Sequence, residues 1–302
     1  MPASTDGKLR GLIAATYTPF SPNGDLNCHA VPALVEHLLR QGVTGLYVCG
    51  STGEGMSMTT DERRQTARAF VEAAQGRVPV VVQVGHNSLW EAAALARHAQ
   101  EIGATAVSAT CPSYFPIESV ENLVESMTVV AAGAPQLPFY YYHIPRFTGA
   151  GLDMTKFLRL AASRIPNLAG LKYSDPAVYG YQACVELDAG RFDILWGVDE
   201  MLLSSLVVGC HGAVGSTYNV MAPVYRELID AFTHGNIALC RDLQAKSVQF
   251  VRTVSAYPFH PGMREILRWQ GVDCGVCRLP IHPITQDQVA ALRKDLERIE
   301  FF

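Results

Sequence analysis

Of the five lysines in this 302-residue chain, Lys8, Lys156, Lys172, Lys246 and Lys294, only Lys172 lies in a strand-like apolar run. It sits in "LAGLKYSD", residues 168–175. A buried ammonium is costly unless it is paired or gives up its proton. A neutral lysine amine is a nucleophile that forms Schiff bases with carbonyls. A core ion pair with Asp175 explains the same pattern, and the run alone leaves both readings open. In a strand, residues two apart share a face. Gly170, Lys172 and Ser174 therefore point one way, which suits a reaction chamber. Leu171 and Tyr173 point the other way, which suits packing.

Four further segments carry polar chemistry. "GSTGEG", residues 50–55, puts Ser51 and Thr52 between glycines. Hydroxyl and backbone N–H donors in such a loop can cradle a carboxylate or phosphate, although an ordinary turn leading into a helix cap reads the same way. "PFYYYHIP", residues 138–145, places Tyr140 and Tyr142 on one face and His143 on the other. Tyr142 is nearer the C-terminal end, and a positioned phenol can relay a proton. Aromatic strands also serve simply as packing. "GVDE", residues 197–200, sets Asp199 and Glu200 at a strand end after Gly197. These carboxylates can bind sugar hydroxyls, hold a metal or cap a helix. No His/Asp cluster supports the metal. In "GAVGSTYN", residues 212–219, Ser216 follows another open glycine backbone.

Eight β-rich runs could position these residues: 11–19, 45–50, 78–85, 106–112, 138–145, 168–175, 192–199 and 212–219. Amphipathic stretches at 91–103, 119–133 and 154–163 separate some of them. Eight strands with helical crossovers predict a parallel sheet closed as a (β/α)8 TIM barrel over residues 1–222. Helical patterns at 224–235, 237–257, 263–269 and 285–299 predict a C-terminal helical extension, residues 223–302, packed on the barrel. An open doubly wound sheet is the alternative, but no GxGxxG follows the first strand. Barrel enzymes build their sites at the C-terminal ends of the strands, where all five polar segments fall.

The net charge of −4 and pI of about 6.1 give no basic footprint for nucleic acid or an anionic membrane. No apolar run approaches the roughly 18–20 residues of a membrane span. The N-terminal residues lack the apolar core of a signal peptide, so the expected location is cytoplasmic. Most of the eight cysteines sit in apolar runs, as reduced core thiols do. "CGVC", Cys274 to Cys277, is a lone CxxC without a second pair, and reads as two free thiols near a loop.

Taken in order, "AATYTPF", "GLYVCGSTGEG", "PFYYYHIP", "GLKYSD", "LWGVDE", "GAVGSTYN" and "CRLPIHP" resemble the dihydrodipicolinate synthase/N-acetylneuraminate lyase superfamily of pyruvate-dependent class I aldolases. The likeness spans nearly the whole chain and is greatest to the lyase branch. It implies Schiff-base retro-aldol cleavage of N-acetylneuraminate to N-acetylmannosamine and pyruvate, with no metal or organic cofactor. It implies small-molecule substrates and a homotetramer. Lys172 would be the Schiff-base lysine and Tyr142 the proton relay. Ser51 and Thr52 would hold the substrate carboxylate. Ser174, Gly197, Asp199, Glu200 and Ser216 would contact the hydroxylated tail, and Tyr114 would lie near a neighbouring subunit's site. Synthases of this superfamily carry an arginine five residues after the relay tyrosine. Phe147 stands there, and Arg146 would point to the other face if the strand continued. Alternatives are another keto-acid aldolase, such as one for 2-keto-3-deoxy sugar acids, a dihydrodipicolinate synthase, or a non-catalytic keto-acid sensor.

Overall fold

The computed structural model describes residues 7–301. Eight parallel strands close in chain order: β1 (Gly11–Ala15), β2 (Gly45–Val48), β3 (Val80–Gln83), β4 (Ala106–Ala109), β5 (Phe139–His143), β6 (Leu168–Tyr173), β7 (Asp193–Trp196) and β8 (Gly212–Gly215), with β8 pairing back on β1. Around them run α1 (Val31–Arg40), α2 (Thr60–Ala74), α3 (Leu89–Glu101), α4 (Val120–Ala131), α5 (Pro145–Thr148), α6 (Met154–Ala161), α7 (Val178–Glu186), α8 (Leu202–Val207) and α9 (Tyr218–Thr233). The chain continues through α10 (Ile237–Ser255), α11 (Phe259–Trp269) and α12 (Gln286–Arg298). This is the TIM barrel with C-terminal helices that the alternating pattern predicts, not the open sheet.

Period-two alternation splits the core into two clusters. Leu46, Val48, Tyr141, Leu171 and Tyr173 face outward into the layer shared with the helices. Ile13, Tyr47, Val81, Tyr140, Tyr142 and Leu195 face inward. The outer cluster runs on through Val254, Met263, Leu267, Leu292 and Leu296, so apolar burial joins the last three helices to the barrel.

Each expected strand is present but ends short of its predicted boundary, where turns begin. The run expected to reach Asn219 stops at Gly215. Asn219 instead lies in the first turn of α9, its Nδ2 donating to the carbonyls of Ala15 and Ser216, both at 2.8 Å. The division expected between residues 222 and 223 falls within the range of α9 (Tyr218–Thr233), beside a break in its helical geometry. That helix kinks at Met221 (φ −138°, ψ 27°) beside Pro223. Proline has no N–H for the carbonyl four residues back. That carbonyl, of Asn219, is bonded by His37 Nε2 at 3.1 Å, so Nε2 carries the proton. Helix α11 starts at Phe259, four residues before its expected Met263, because Pro261 is harmless in a first turn whose N–H groups are unpaired anyway.

Candidate active site

Lys172 is 3% exposed and points into the barrel. Strand register places it directly opposite Tyr142 on the neighbouring strand. Its Nζ lies 3.9 Å from the Tyr142 ring centroid and 4.1 Å from that of Tyr47, which reaches over from β2 on the opposite wall. Lys172 makes no ion pair among the described residues. Asp175, the alternative partner, turns its Oδ1 to the backbone N–H of Ala177 at 2.8 Å and caps the following turn. The core ion pair considered from sequence is not formed.

Tyr142 is also 3% exposed. Burial pushes its hydroxyl toward a higher pKa. The Lys172 charge and hydrogen bonds with Ser51, Lys172 and Ser174 outweigh that, and the net direction is downward. Tyr47 goes the other way: burial lifts it well above its ordinary value, and its hydroxyl donates to Ser108 Oγ at 2.9 Å. Of the two phenols against the lysine, only Tyr142 is shifted downward.

Ser51 and Thr52 follow β2 in a loop bounded by two non-glycine residues in the left-handed region, Cys49 (φ 60°) and Glu54 (φ 55°). Strained backbone of this kind persists only where its surroundings impose it. Thr18 Oγ1 donates to the Gly53 carbonyl at 2.7 Å, and both Glu54 carboxylate oxygens are bonded, Oε1 by Arg264 and Oε2 by the Arg278 N–H. Ser51 opens onto a cavity of about 240 Å³ whose wall includes His86, Thr110, Ile144 and Phe147.

The far side of the chamber gathers Ser174, Gly197, Asp199 and Gly215. A Cβ on Gly197 would stand 2.0 Å from Ser174 Oγ, and one on Gly215 would stand 2.0 Å from Asp199 Oδ1. Only glycine allows these side chains to approach so closely. Asp199 Oδ2 accepts from the Thr217 N–H at 2.8 Å and from Thr217 Oγ1 at 2.6 Å. Burial nevertheless pushes its carboxyl up to about 6, with Glu200 adding to the rise and Thr217 and Lys172 opposing it. Glu200 and Ser216 sit half-buried on the same strand ends.

Tyr114 is not brought into the chamber of its own chain. It is 78% exposed and packs edge-to-face on Phe115, with ring centroids 5.1 Å apart. His143 faces outward as alternation requires, packed between the rings of Tyr141 and Tyr173. Strand β5 does not continue to Arg146, because Pro145 opens the short turn α5. Arg146 is exposed and stacks on Phe147, its guanidinium carbon 4.6 Å from the ring centroid. Cys274 and Cys277 are both free thiols, with Cys277 Sγ 3.2 Å from Arg264 Nε.

Sequence reasoning missed Tyr47, Thr217 and the Glu54–Arg264 pair. Alternation in "GLYVCG" was enough to turn Tyr47 inward. Nothing local tied Thr217 rather than Ser216 to Asp199.

The barrel, its closure and this lysine-centred chamber define the class. The chain belongs to the dihydrodipicolinate synthetase family, whose model matches residues 8–299. It is 39% identical over 281 residues to N-acetylneuraminate lyase A of Xenopus laevis, covering 91% of each chain. It is 37% identical over 299 residues to N-acetylneuraminate lyase of Rattus norvegicus, covering 97% of this chain and 93% of that one. The solved structure of Proteus mirabilis N-acetylneuraminate lyase matches with a TM-score of 0.95 at 38% identity, covering 98% of this chain and all of the other.

Proposed function

We propose that this protein is a carbon–carbon lyase that cleaves N-acetylneuraminate to N-acetylmannosamine and pyruvate through a Schiff base on Lys172. The observation that carries the reading is an enclosed lysine, without an ion pair among the described residues, whose amine lies against a tyrosine with a lowered pKa. The similar lyases above supply the substrate.

The open-chain keto acid sets its carboxylate on the hydroxyls and N–H groups of Ser51 and Thr52. The Lys172 amine adds to the C2 ketone and water leaves, forming an iminium. Tyr142, as phenolate, takes the proton of the C4 hydroxyl. The C3–C4 bond breaks, its electrons pass into the iminium, and the aldehyde N-acetylmannosamine departs. Protonation of the enamine at C3 and hydrolysis release pyruvate and restore the lysine. The iminium formed on Lys172 is itself the electron sink, so the reaction as written calls on neither metal nor organic cofactor. Ser174, Asp199, Glu200 and Ser216 receive the hydroxylated tail, with Gly197 leaving room for it.

Two coarser features join this reading. Exposed Tyr114 and Phe115 beside the Ser51 cavity suit a subunit interface of a homotetramer, which sedimentation equilibrium would test by subunit count. Eight free thiols suit a reducing compartment, and we place the enzyme in the cytoplasm, which cell fractionation would check.

Borohydride reduction in the presence of pyruvate, followed by peptide mass spectrometry, tests the mechanism. A reduced pyruvyl adduct on Lys172 is expected, together with pyruvate release from N-acetylneuraminate. Absence of the adduct, or release only from other keto acids, would reject the reading.

A further inference from the structure

Four side-chain oxygens form a buried line from the C-terminal extension to the chamber. Ser247 Oγ on α10 is 2.7 Å from the Tyr225 hydroxyl on α9. That hydroxyl is 2.8 Å from Thr217 Oγ1, which is 2.6 Å from Asp199 Oδ2. Ser247 and Tyr225 are fully buried, and Thr217 is 1% exposed. Helices that only needed to pack would do so with apolar side chains, since buried hydroxyls are costly unless bonded.

Proton counting fixes the direction of the line. An ionised carboxylate only accepts, so the single hydroxyl proton of Thr217 goes to Asp199. Tyr225 must then donate to Thr217, and Ser247 must donate to Tyr225. Every proton points toward the carboxylate, and each bond polarises the next. With its carboxyl at about 6, Asp199 is ionised at pH 8, where this order holds. The Tyr225 ring is held edge-to-face on Tyr218, with centroids 4.8 Å apart. The line and the Thr217 N–H both occupy Oδ2. Oδ1 makes no hydrogen bond among the described residues and lies on the Gly215 side, at the mouth of the barrel.

We infer that Thr217, Tyr225 and Ser247 are positioning residues that clamp one oxygen of Asp199 and leave Oδ1 aimed to accept a hydroxyl from the substrate's tail. The helical extension thereby sets selectivity for the polyhydroxyl end without touching it. This inference rests on the lyase reading above.

The test uses the full-length chain at pH 8. In Tyr225→Phe, Thr217 loses its donor and Asp199 its alignment. The KM for N-acetylneuraminate is expected to rise about three- to tenfold with kcat little changed. Borohydride trapping of pyruvate on Lys172 should be unaffected, because pyruvate has no tail. Ser247→Ala, one link further away, should raise KM in the same direction by less. An unmoved KM in Tyr225→Phe overturns the inference, as does an equal loss of pyruvate trapping and cleavage, which would mean general disruption. If Tyr225→Phe does not fold, the same comparison in Ser247→Ala decides. Wild-type protein that traps no pyruvate would instead overturn the lyase reading, and this inference with it.

Discussion

Two phenols flank the Lys172 amine, yet their surroundings drive them apart. Tyr47 donates a hydrogen bond to Ser108, and burial lifts its pKa well above the ordinary value. Tyr142 shares hydrogen bonds with Ser51, Lys172 and Ser174 and is pulled downward by the lysine's charge. Groups of one chemical type in opposed environments mark the division of acid–base labour in a site. Tyr142→Phe should therefore lower kcat for pyruvate release by about 10²- to 10⁴-fold, the usual contribution of a positioned proton relay. Steady-state kinetics checks this, and a kcat near that of the parent would assign the proton to another group.

At the scale of one element, β5 serves chamber and shell together. Tyr140 and Tyr142 face in, Tyr141 and His143 face out. Burial lowers His143 from the ordinary 6.5 to about 4, with Asp175 opposing the shift, and its Nδ1 has no hydrogen-bond partner among the described residues. The folded state therefore resists protonating a group that the unfolded chain protonates near 6.5. This costs nothing above pH 6.5, and stability drains away as pH falls from 6.5 toward 4, by about 3 kcal/mol in full. His143→Phe should flatten that acid limb. Urea unfolding at pH 7.5 and pH 5 measures it, and an unchanged difference between the two pH values in the variant would place the acid sensitivity elsewhere.

Across the whole molecule, a buried charge pair adds to the apolar contacts that hold the helical extension on the barrel mouth. Arg264 on α11 meets Glu54 at 2.6 Å, both almost wholly enclosed. The same guanidinium donates to the carbonyls of Thr18 and Cys274, and Glu54 also receives the Arg278 N–H. Glu54 ends the loop that carries Ser51 and Thr52, so the pair couples the last part of the chain to that loop. Arg264→Met leaves a buried carboxylate without its counter-charge and should cost about 3–5 kcal/mol. Adding Glu54→Gln should cost less than the sum of the single changes, because the stranded charge is gone. Denaturant unfolding of the three variants checks both statements, and strict additivity would show that the two residues act independently.

The amino-acid sequence by itself determined the strand order, the two-faced alternation and the inward aim of Lys172, Tyr142 and Ser174. These follow from a period of two along each run and from short crossovers, both local properties of the chain. It did not determine which residues meet. Whether Lys172 paired with Asp175 was open until the turn after β6 drew that carboxylate to Ala177. Register set Tyr142 beside Lys172, and closure of the barrel brought Tyr47 over from the facing strand. Glu54 and Arg264 lie 210 residues apart, and Ser247 reaches Asp199 only through two intervening hydroxyls. Contacts of that kind depend on how a closed sheet and its helices pack in three dimensions, and no local pattern encodes them. The strand alone thus singled out Lys172 as an unusual buried lysine, while the tertiary structure decided between its two readings as ion pair or free amine and what holds its surroundings in place.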